Sequence, residues 1–300
     1  MQQHFHRIAI LGAGRLGRCL ALALVARGES VVAVASRTPA HARARAAELP
    51  GAQALGMSEA TAAADLVLLT VPDDHIAPLA ASLPWRAGQA AVHCSGATSL
   101  DALAAARAAG AKVGGLHPLQ IFSGPVANPE AALTLLAGSH AAIEAEDATL
   151  QARLQQLALG LGMQPFALPP GARAAYHAAA GYAASFLLSM LDEAGAIWRD
   201  AGLPPEAALP ALLPLARGTL AAAEARGLAG ALSGPISRGD AGVVAAHLQA
   251  LGGQGRADFY RLIAQRQLGL ARASGRLDAA ALARLEELLG DVDGGLVPDA

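Results

Sequence analysis

One short segment constrains this chain more than any other: Gly12-Ala13-Gly14-Arg15-Leu16-Gly17 follows the apolar run 7–11 and opens an apolar helical stretch. A strand that runs into a glycine turn and then a helix begins a βαβ unit, and there each glycine has its own task. Gly12 permits the tight turn, Gly14 lets a diphosphate approach the backbone, and Gly17 lets the helix pack closely on the strand. Arg15 and Leu16 lie at the helix N-terminus, whose free N–H groups and partial positive charge suit a pyrophosphate. The segment therefore points to a bound dinucleotide.

The end of the second predicted strand separates NAD from NADP, because an acid there binds a ribose 2′-hydroxyl and repels a 2′-phosphate. Here it reads Ser36-Arg37-Thr38, with no carboxylate. Arg37 offers a planar charged fork and the two hydroxyls offer further donors, a set suited to a phosphate monoester. NADP(H) is the expected cofactor.

From residue 7 to about 168, short apolar runs alternate with amphipathic stretches, as in a parallel sheet wrapped by helices. Strands are expected at 7–11, 30–35, 53–56, 65–71, 89–94 and 112–116, with further ones at 139–144 and 164–168. Pro169-Pro170-Gly171 breaks the pattern and serves as the domain boundary. Beyond it, 172–201 reads as one long Ala-rich helix ending at Gly202. Pro204, Pro210 and Pro214 divide the next stretch into shorter helices or kinks, and Asp240 caps another helix. Residues 290–300 read as a loose tail. The fold class is α/β: a Rossmann domain over 1–168, then an all-helical substrate and dimerisation domain over 169–300.

Composition narrows the partners. The chain is 54% apolar but only 15% charged, which favours large buried surfaces or a subunit interface, so a homodimer through the helical domain is expected. Aromatics supply only 3%, leaving alanine and leucine to do the packing. A net charge of −2 gives no basic footprint for nucleic acid. No apolar run reaches the roughly 18 residues a membrane helix needs, and a strand begins almost at Met1, so a cytoplasmic protein without a signal peptide is expected. Cys19 and Cys94 form no disulfide framework and should be buried. No histidine set has metal-ligand spacing.

Ligands in such sheets bind beyond the carboxyl ends of the strands. Those ends hold Val71 and Pro72, then His93-Cys94-Ser95-Gly96, then Leu116-His117-Pro118. Val71, Pro72 and Ser95 are expected along the cofactor. His117 could exchange a proton near neutral pH and Ser95 could bond a substrate oxygen; the alternative for His117 is a structural bond to its loop. In the helical stretch, Tyr176 and His177 precede Gly181 and Ser185, and His177, Gly181 and Ser185 fall four apart on one face. They could floor a substrate cleft, or Gly181 could merely allow close packing. Arg238 could clamp a substrate carboxylate or simply pair with Asp240.

Several of these segments together resemble a known family. Gly12–Gly17, Val71-Pro72-Asp73-Asp74, His93-Cys94-Ser95-Gly96-Ala97, Gly115-Leu116-His117-Pro118-Leu119-Gln120, Tyr176-His177-Ala178-Ala179-Ala180 and Gly234-Pro235-Ile236-Ser237-Arg238-Gly239-Asp240 are similar to Rossmann-like proteins with the C-terminal domain of unknown function 2520. That family is grouped with coenzyme F420-dependent NADP oxidoreductase-like folds. Ser185 stands where the family has asparagine. The resemblance implies a dimeric NADP oxidoreductase, with more distant similarity to pyrroline-5-carboxylate reductase and, through His-Pro, to prephenate dehydrogenase.

The expected activity is hydride transfer between NADPH and a small C=O or C=N substrate held between the domains. Ser95 and His117 are the first candidates for proton exchange and His177 the second. Rival readings are a noncatalytic NADP-binding sensor and an F420-dependent enzyme.

Overall fold

The structure, a computed structural model, describes residues 5–252 and 254–290. The chain divides into two compact units, Met1–Phe186 and Leu187–Ala300. The first carries an eight-stranded sheet: β1 (Ile8–Leu11), β2 (Val31–Ala35), β3 (Gln53–Ala54), β4 (Leu66–Leu69), β5 (Ala90–His93), β6 (Lys112–Leu119), β7 (His140–Ala145) and β8 (Gln164–Ala167), in the order β3-β2-β1-β4-β5-β6-β7-β8. Strands β1 to β6 pair in parallel as the sequence pattern requires, whereas β7 runs antiparallel to β6 and β8 parallel to β7. Strand order reverses between β1 and β4, and such a switch point opens a crevice at the carboxyl ends.

Continuous apolar strands arise because both faces are covered. Ile8, Ile10, Leu66 and Leu68 enter one layer, with Leu20 and Leu24 of α1 (Arg15–Ala26) and Leu150 and Leu154 of α7 (Ala148–Gly160). Their sequence neighbours Ala9, Leu11, Val67 and Leu69 enter the other, with Ala60 of α3 (Met57–Ala63) and Ile76 and Ala80 of α4 (Asp73–Ser82). Each fully buried leucine contributes about 1.5–3 kcal/mol, so Leu68→Ala would cost about 2–5 kcal/mol once the cavity it leaves is included. Both cysteines are buried, and burial raises the Cys94 thiol to about 12. Cys19 Sγ lies 4.0 Å from the carbonyl oxygen of Ala132 in α6 (Pro129–Leu136), a close approach of α1 to α6.

Some expectations need correction. Strand β6 does not stop at Leu116 but continues through His117, because β7 pairs with it from Gly114 to Leu119, with His117 opposite Ala142. The expected helix over 172–201 is two helices, α8 (Arg173–Ala183) and α9 (Ser185–Asp200), separated at Ala184 with φ −115 and ψ −83. There the Ser185 hydroxyl donates to the Gly181 carbonyl at 3.3 Å, a local bond of the kind that competes with the helix ladder. The first compact unit runs through α8 to Phe186.

In the second unit, Pro210 and Pro214 do not divide the chain: both lie inside α10 (Pro205–Ala231), whose one non-helical residue is Gly227, at φ 69. Proline removes one ladder bond, and Glu206 and Pro210, whose carbonyls lose their partners, are exposed residues. The unit's core gathers Ile236 of α11 (Pro235–Arg238), Val244 of α12 (Ala241–Leu251), Ala264, Leu268 and Ala271 of α13 (Gln254–Ser274), and Leu285 and Leu289 of α14 (Ala279–Leu289). Asp240 stands at the N-cap of α12 but makes no side-chain cap bond; its carboxylate accepts from Arg238 instead, at 2.8 Å. The expected tail beyond Gly290 lies outside the described residues. Among those described, no helix is long and apolar enough to cross a membrane.

Candidate active site

The glycine turn has the geometry its sequence demands. Gly12 adopts φ +123, and a Cβ there would stand 2.6 Å from the Thr70 carbonyl oxygen. A Cβ on Gly17 would meet the Gly12 carbonyl oxygen at 2.1 Å and Thr70 Oγ1 at 2.5 Å. Gly14 faces open space. Close packing thus requires the outer glycines, and the middle one leaves room for a ligand. The N-terminus of α1 has no side-chain cap, so the N–H groups of Arg15, Leu16 and Gly17 remain as donors for a pyrophosphate. These observations fit a dinucleotide. Thr70, which sequence reasoning did not single out, locks the turn by donating its hydroxyl to the Gly12 carbonyl at 2.9 Å.

Beside the turn lies a cavity of about 500 Å³, lined among others by Gly14, Arg15, Ser36, His41 and Arg45. Ser36 and Arg15 were expected there; His41 and Arg45, from α2 (Pro39–Ala46), were not. Four residues apart on one helix face, they reach the cavity together, a relation invisible until α2 is packed on β2 and β3. Arg37 does not line this cavity: it is exposed, and its Nη1 lies 3.1 Å from His75 Nε2. Thr38 is exposed, with its backbone N–H bonded to Ser36 Oγ at 3.3 Å. Val71 is half-buried, and Pro72 stands at the N-cap position of α4 without a side-chain cap bond.

At the neighbouring strand ends a polar cluster forms. Leu11, Leu69, His93 and Gly115 are successive partners across the sheet, so His93 stands level with the entry to the glycine turn. Strands lie about 4.8 Å apart, which puts His93 roughly 10 Å from β1. His117 lies two residues beyond Gly115 and so points to the same face of the sheet. Its Nδ1 is 2.7 Å from the Tyr176 hydroxyl, and its ring centroid is 6.1 Å from that of His177, both on α8. Burial pushes the His117 pKa down to about 4; His177 and Arg173 add to this and Asp73 opposes it. His117 is therefore a neutral imidazole at pH 7, and burial raises the Tyr176 phenol.

Gly96 makes this convergence possible. A Cβ on it would lie 2.5 Å from His177 Nδ1 and 2.9 Å from His117 Nε2, so only glycine lets both rings close over the loop. Below them Arg173, 4% exposed, gives Nε and Nη2 to one Glu144 oxygen at 2.9 and 2.6 Å and Nη1 to the Ser95 carbonyl at 2.8 Å. It thereby ties α8 to β7 and to the loop after β5. His93 is fully buried with neither ring nitrogen hydrogen-bonded, and its pKa falls to about 3 through burial, then Arg173, then His117.

Ser95 departs from its expected role. Its hydroxyl lies 2.9 Å from Thr98 Oγ1 and accepts from the backbone N–H groups of Ala97 and Thr98 at 3.1 and 2.9 Å. With its donor and both lone pairs engaged, it shapes the loop. Ser185, beyond the break at Ala184, does not continue the helix of His177 and Gly181. Arg238, in the other unit, is paired with Asp240. Arg173 and Glu144 were missed, and His93 was read only as part of a strand end: an arginine after Pro-Pro-Gly and a glutamate in a strand carry no signal until β7 runs antiparallel beside β6.

No protein of curated function matches the chain in sequence. It is similar in fold to protein TM1727 of Thermotoga maritima (24% identity, covering 90% of this chain and 100% of that one, TM-score 0.73). Protein BF3122 of Bacteroides fragilis is similar too (24%, 91% and 98%, TM-score 0.65), as is an imine reductase variant of Myxococcus stipitatus solved with NAD+ (20%, 93% and 98%, TM-score 0.60). Residues 7–95 match the family described as NADP oxidoreductase coenzyme F420-dependent, and residues 139–267 match the domain of unknown function DUF2520. The chain thus carries an NADP oxidoreductase domain followed by a DUF2520 domain, the make-up of an NADP-dependent oxidoreductase.

Proposed function

We propose that this oxidoreductase moves a hydride between NADP(H) and a small substrate with a C=O or C=N bond, and that His117 and Tyr176 handle the accompanying proton. The observation that carries this reading is the 2.7 Å contact between His117 Nδ1 and the Tyr176 hydroxyl, on the strand-end edge that also holds the glycine turn. When bound, the nicotinamide supplies or accepts the hydride. The protein's own part is to seat the diphosphate on Gly14 and α1, to exclude water, and to deliver or remove a proton at the reacting heteroatom. A neutral imidazole bonded to a phenol does this in either direction, one group replenishing the other. His177, whose ring stands edge-on to that of His117, is the second candidate for touching substrate, and Ser95 has no free hydroxyl for that work. Arg37 is proposed to reach the 2′-phosphate after leaving His75, with Ser36 and Thr38 supporting it.

The helical unit is proposed to pair two copies of the chain. Helix α10 has 27 residues and buries only Ala208, while Leu209, Leu215, Leu220 and Leu228 are each more than half exposed. Four leucines so exposed on one stretch of chain are the kind of apolar surface that a subunit interface covers. NADPH oxidation screened against aldehydes, keto acids and cyclic imines tests the activity; tight NADPH binding with no turnover would favour a sensor.

A further inference from the structure

Resting on the cofactor seat proposed above, we infer that the 2′-phosphate of NADP(H) enters the cavity beside the glycine turn, and that Arg45 and His41 of α2 select for it there. The cavity reaches from Gly14 and Arg15, the proposed seat of the diphosphate, to Ser36 just past the end of β2. In this class of fold the end of the second strand is where the 2′ position of the adenosine ribose falls. A volume of about 500 Å³ is within the usual range of small-molecule sites. Arg37 is exposed and outside the cavity, so its proposed contact is additional to these.

Charge decides what the cavity takes. Arg15, Arg18 and Arg45 line it, and among the described residues no carboxylate does. Glu48 bridges two of the three: one oxygen accepts from Arg18 Nε at 2.7 Å and the other from Arg45 Nη1 at 2.5 Å. One carboxylate against three guanidinium groups leaves two positive charges. A phosphate monoester carries close to two negative charges at neutral pH, whereas the 2′-hydroxyl of NAD(H) brings none and leaves the excess unmatched in a partly buried site. Arg18 is further committed to the carbonyl of Val126, which lines the same cavity. Arg45 keeps donors to spare, since Nη1 alone is engaged and its Nε is buried without a hydrogen-bond partner. A buried donor of that kind is a standing cost that an incoming acceptor relieves. His41, four residues earlier on the same helix face, adds an imidazole N–H.

Calorimetric titration of the whole protein with 2′,5′-ADP and with 5′-AMP tests this, because the two differ by the 2′-phosphate alone; NADPH and NADH form a second such pair. Arg45→Met should weaken 2′,5′-ADP and NADPH by about ten- to a hundredfold, the span of a hydrogen bond to a charged group, and leave 5′-AMP and NADH within about twofold. His41→Leu should show the same pattern at about two- to tenfold. With NADP+ bound, the phosphorus NMR signal of the 2′-phosphate should titrate below its ordinary pKa of about 6 and move back toward it in Arg45→Met. Equal losses within each pair would place the diphosphate in the cavity instead, and no loss in either would leave selection to Arg37; each result overturns the inference. The seat itself fails only if Gly14→Ala leaves all four affinities unchanged, so the two failures are distinguishable. Should Arg45→Met not fold, Arg45→Lys keeps the charge but loses the planar fork. A loss confined to 2′,5′-ADP and NADPH is again expected, and its absence overturns the inference.

Discussion

At the residue scale, the three glycines of the turn separate folding from binding. Gly17→Ala places a methyl 2.1 Å from the Gly12 carbonyl oxygen, and backbone cannot yield there, so the variant should lose roughly 2–4 kcal/mol of stability along with cofactor binding. Gly14→Ala meets nothing within 4 Å at an ordinary φ of −73. Its melting temperature should stay within a few degrees while NADPH affinity falls at least tenfold, a contrast that thermal unfolding and calorimetric titration would reveal. His117 carries the chemical prediction. His117→Asn retains some hydrogen bonding to Tyr176 but cannot titrate, so kcat should drop by ~10²-fold or more with NADPH affinity nearly unchanged. An unaltered kcat on a confirmed substrate would remove the proposed proton role. Arg37→Ala should weaken NADPH by about 1.5–3 kcal/mol and leave NADH nearly untouched; equal losses would shift the selection to the cavity-lining His41 and Arg45.

At the scale of elements, one ion pair holds three of them in place. Arg173 on α8 is bonded to Glu144 on β7 and to the Ser95 carbonyl after β5, with 5% and 18% of the two charged side chains exposed. Glu144→Ala strands a buried guanidinium and should cost about 3–5 kcal/mol in urea unfolding. Combining Glu144→Leu with Arg173→Met replaces both charges by apolar groups, and most of that stability should return. Failure of the double variant to recover would mean that the bond to the Ser95 carbonyl, rather than the charge pair, is what positions α8. The break at Ala184 belongs here too: it ends the helix bearing Tyr176 and His177 before α9 begins.

Across the whole molecule, the two buried imidazoles make stability depend on acid. In the unfolded chain a histidine titrates near pH 6.5, whereas folding lowers His93 to about 3 and His117 to about 4. Below pH 6.5 the unfolded state therefore holds more protons than the native one, so stability is complete above that pH and declines as pH falls toward 4 and then 3. Urea midpoints between pH 7 and 4 should fall with a slope approaching two protons, and His93→Gln should flatten it by about one. A flat profile would show that the native pocket admits charged imidazole. The same scale governs assembly: sedimentation at micromolar concentration should give twice the 30.0 kDa chain mass. A monomer would leave the exposed leucines of α10 without the partner proposed for them.

The βαβ start, the run of parallel strands from β1 to β6 and the nucleotide turn were all legible along the chain, because they rest on local rules: strand patterning, glycine sterics and helix caps act within a few residues. His117 and Tyr176 were marked as well, through their places near a strand end and a helix start. The extension of β6 through His117 was not legible, since β7 supplies the partner that keeps it a strand. Packing alone brought His41 and Arg45 to the cavity beside the turn, spent the Ser95 hydroxyl on its own loop, and assembled Arg173, Glu144 and His93 beneath the histidines. Residues 78 positions apart, such as Ser95 and Arg173, meet only when strands align and helices pack, and the spacing of side chains along the chain holds no record of that meeting.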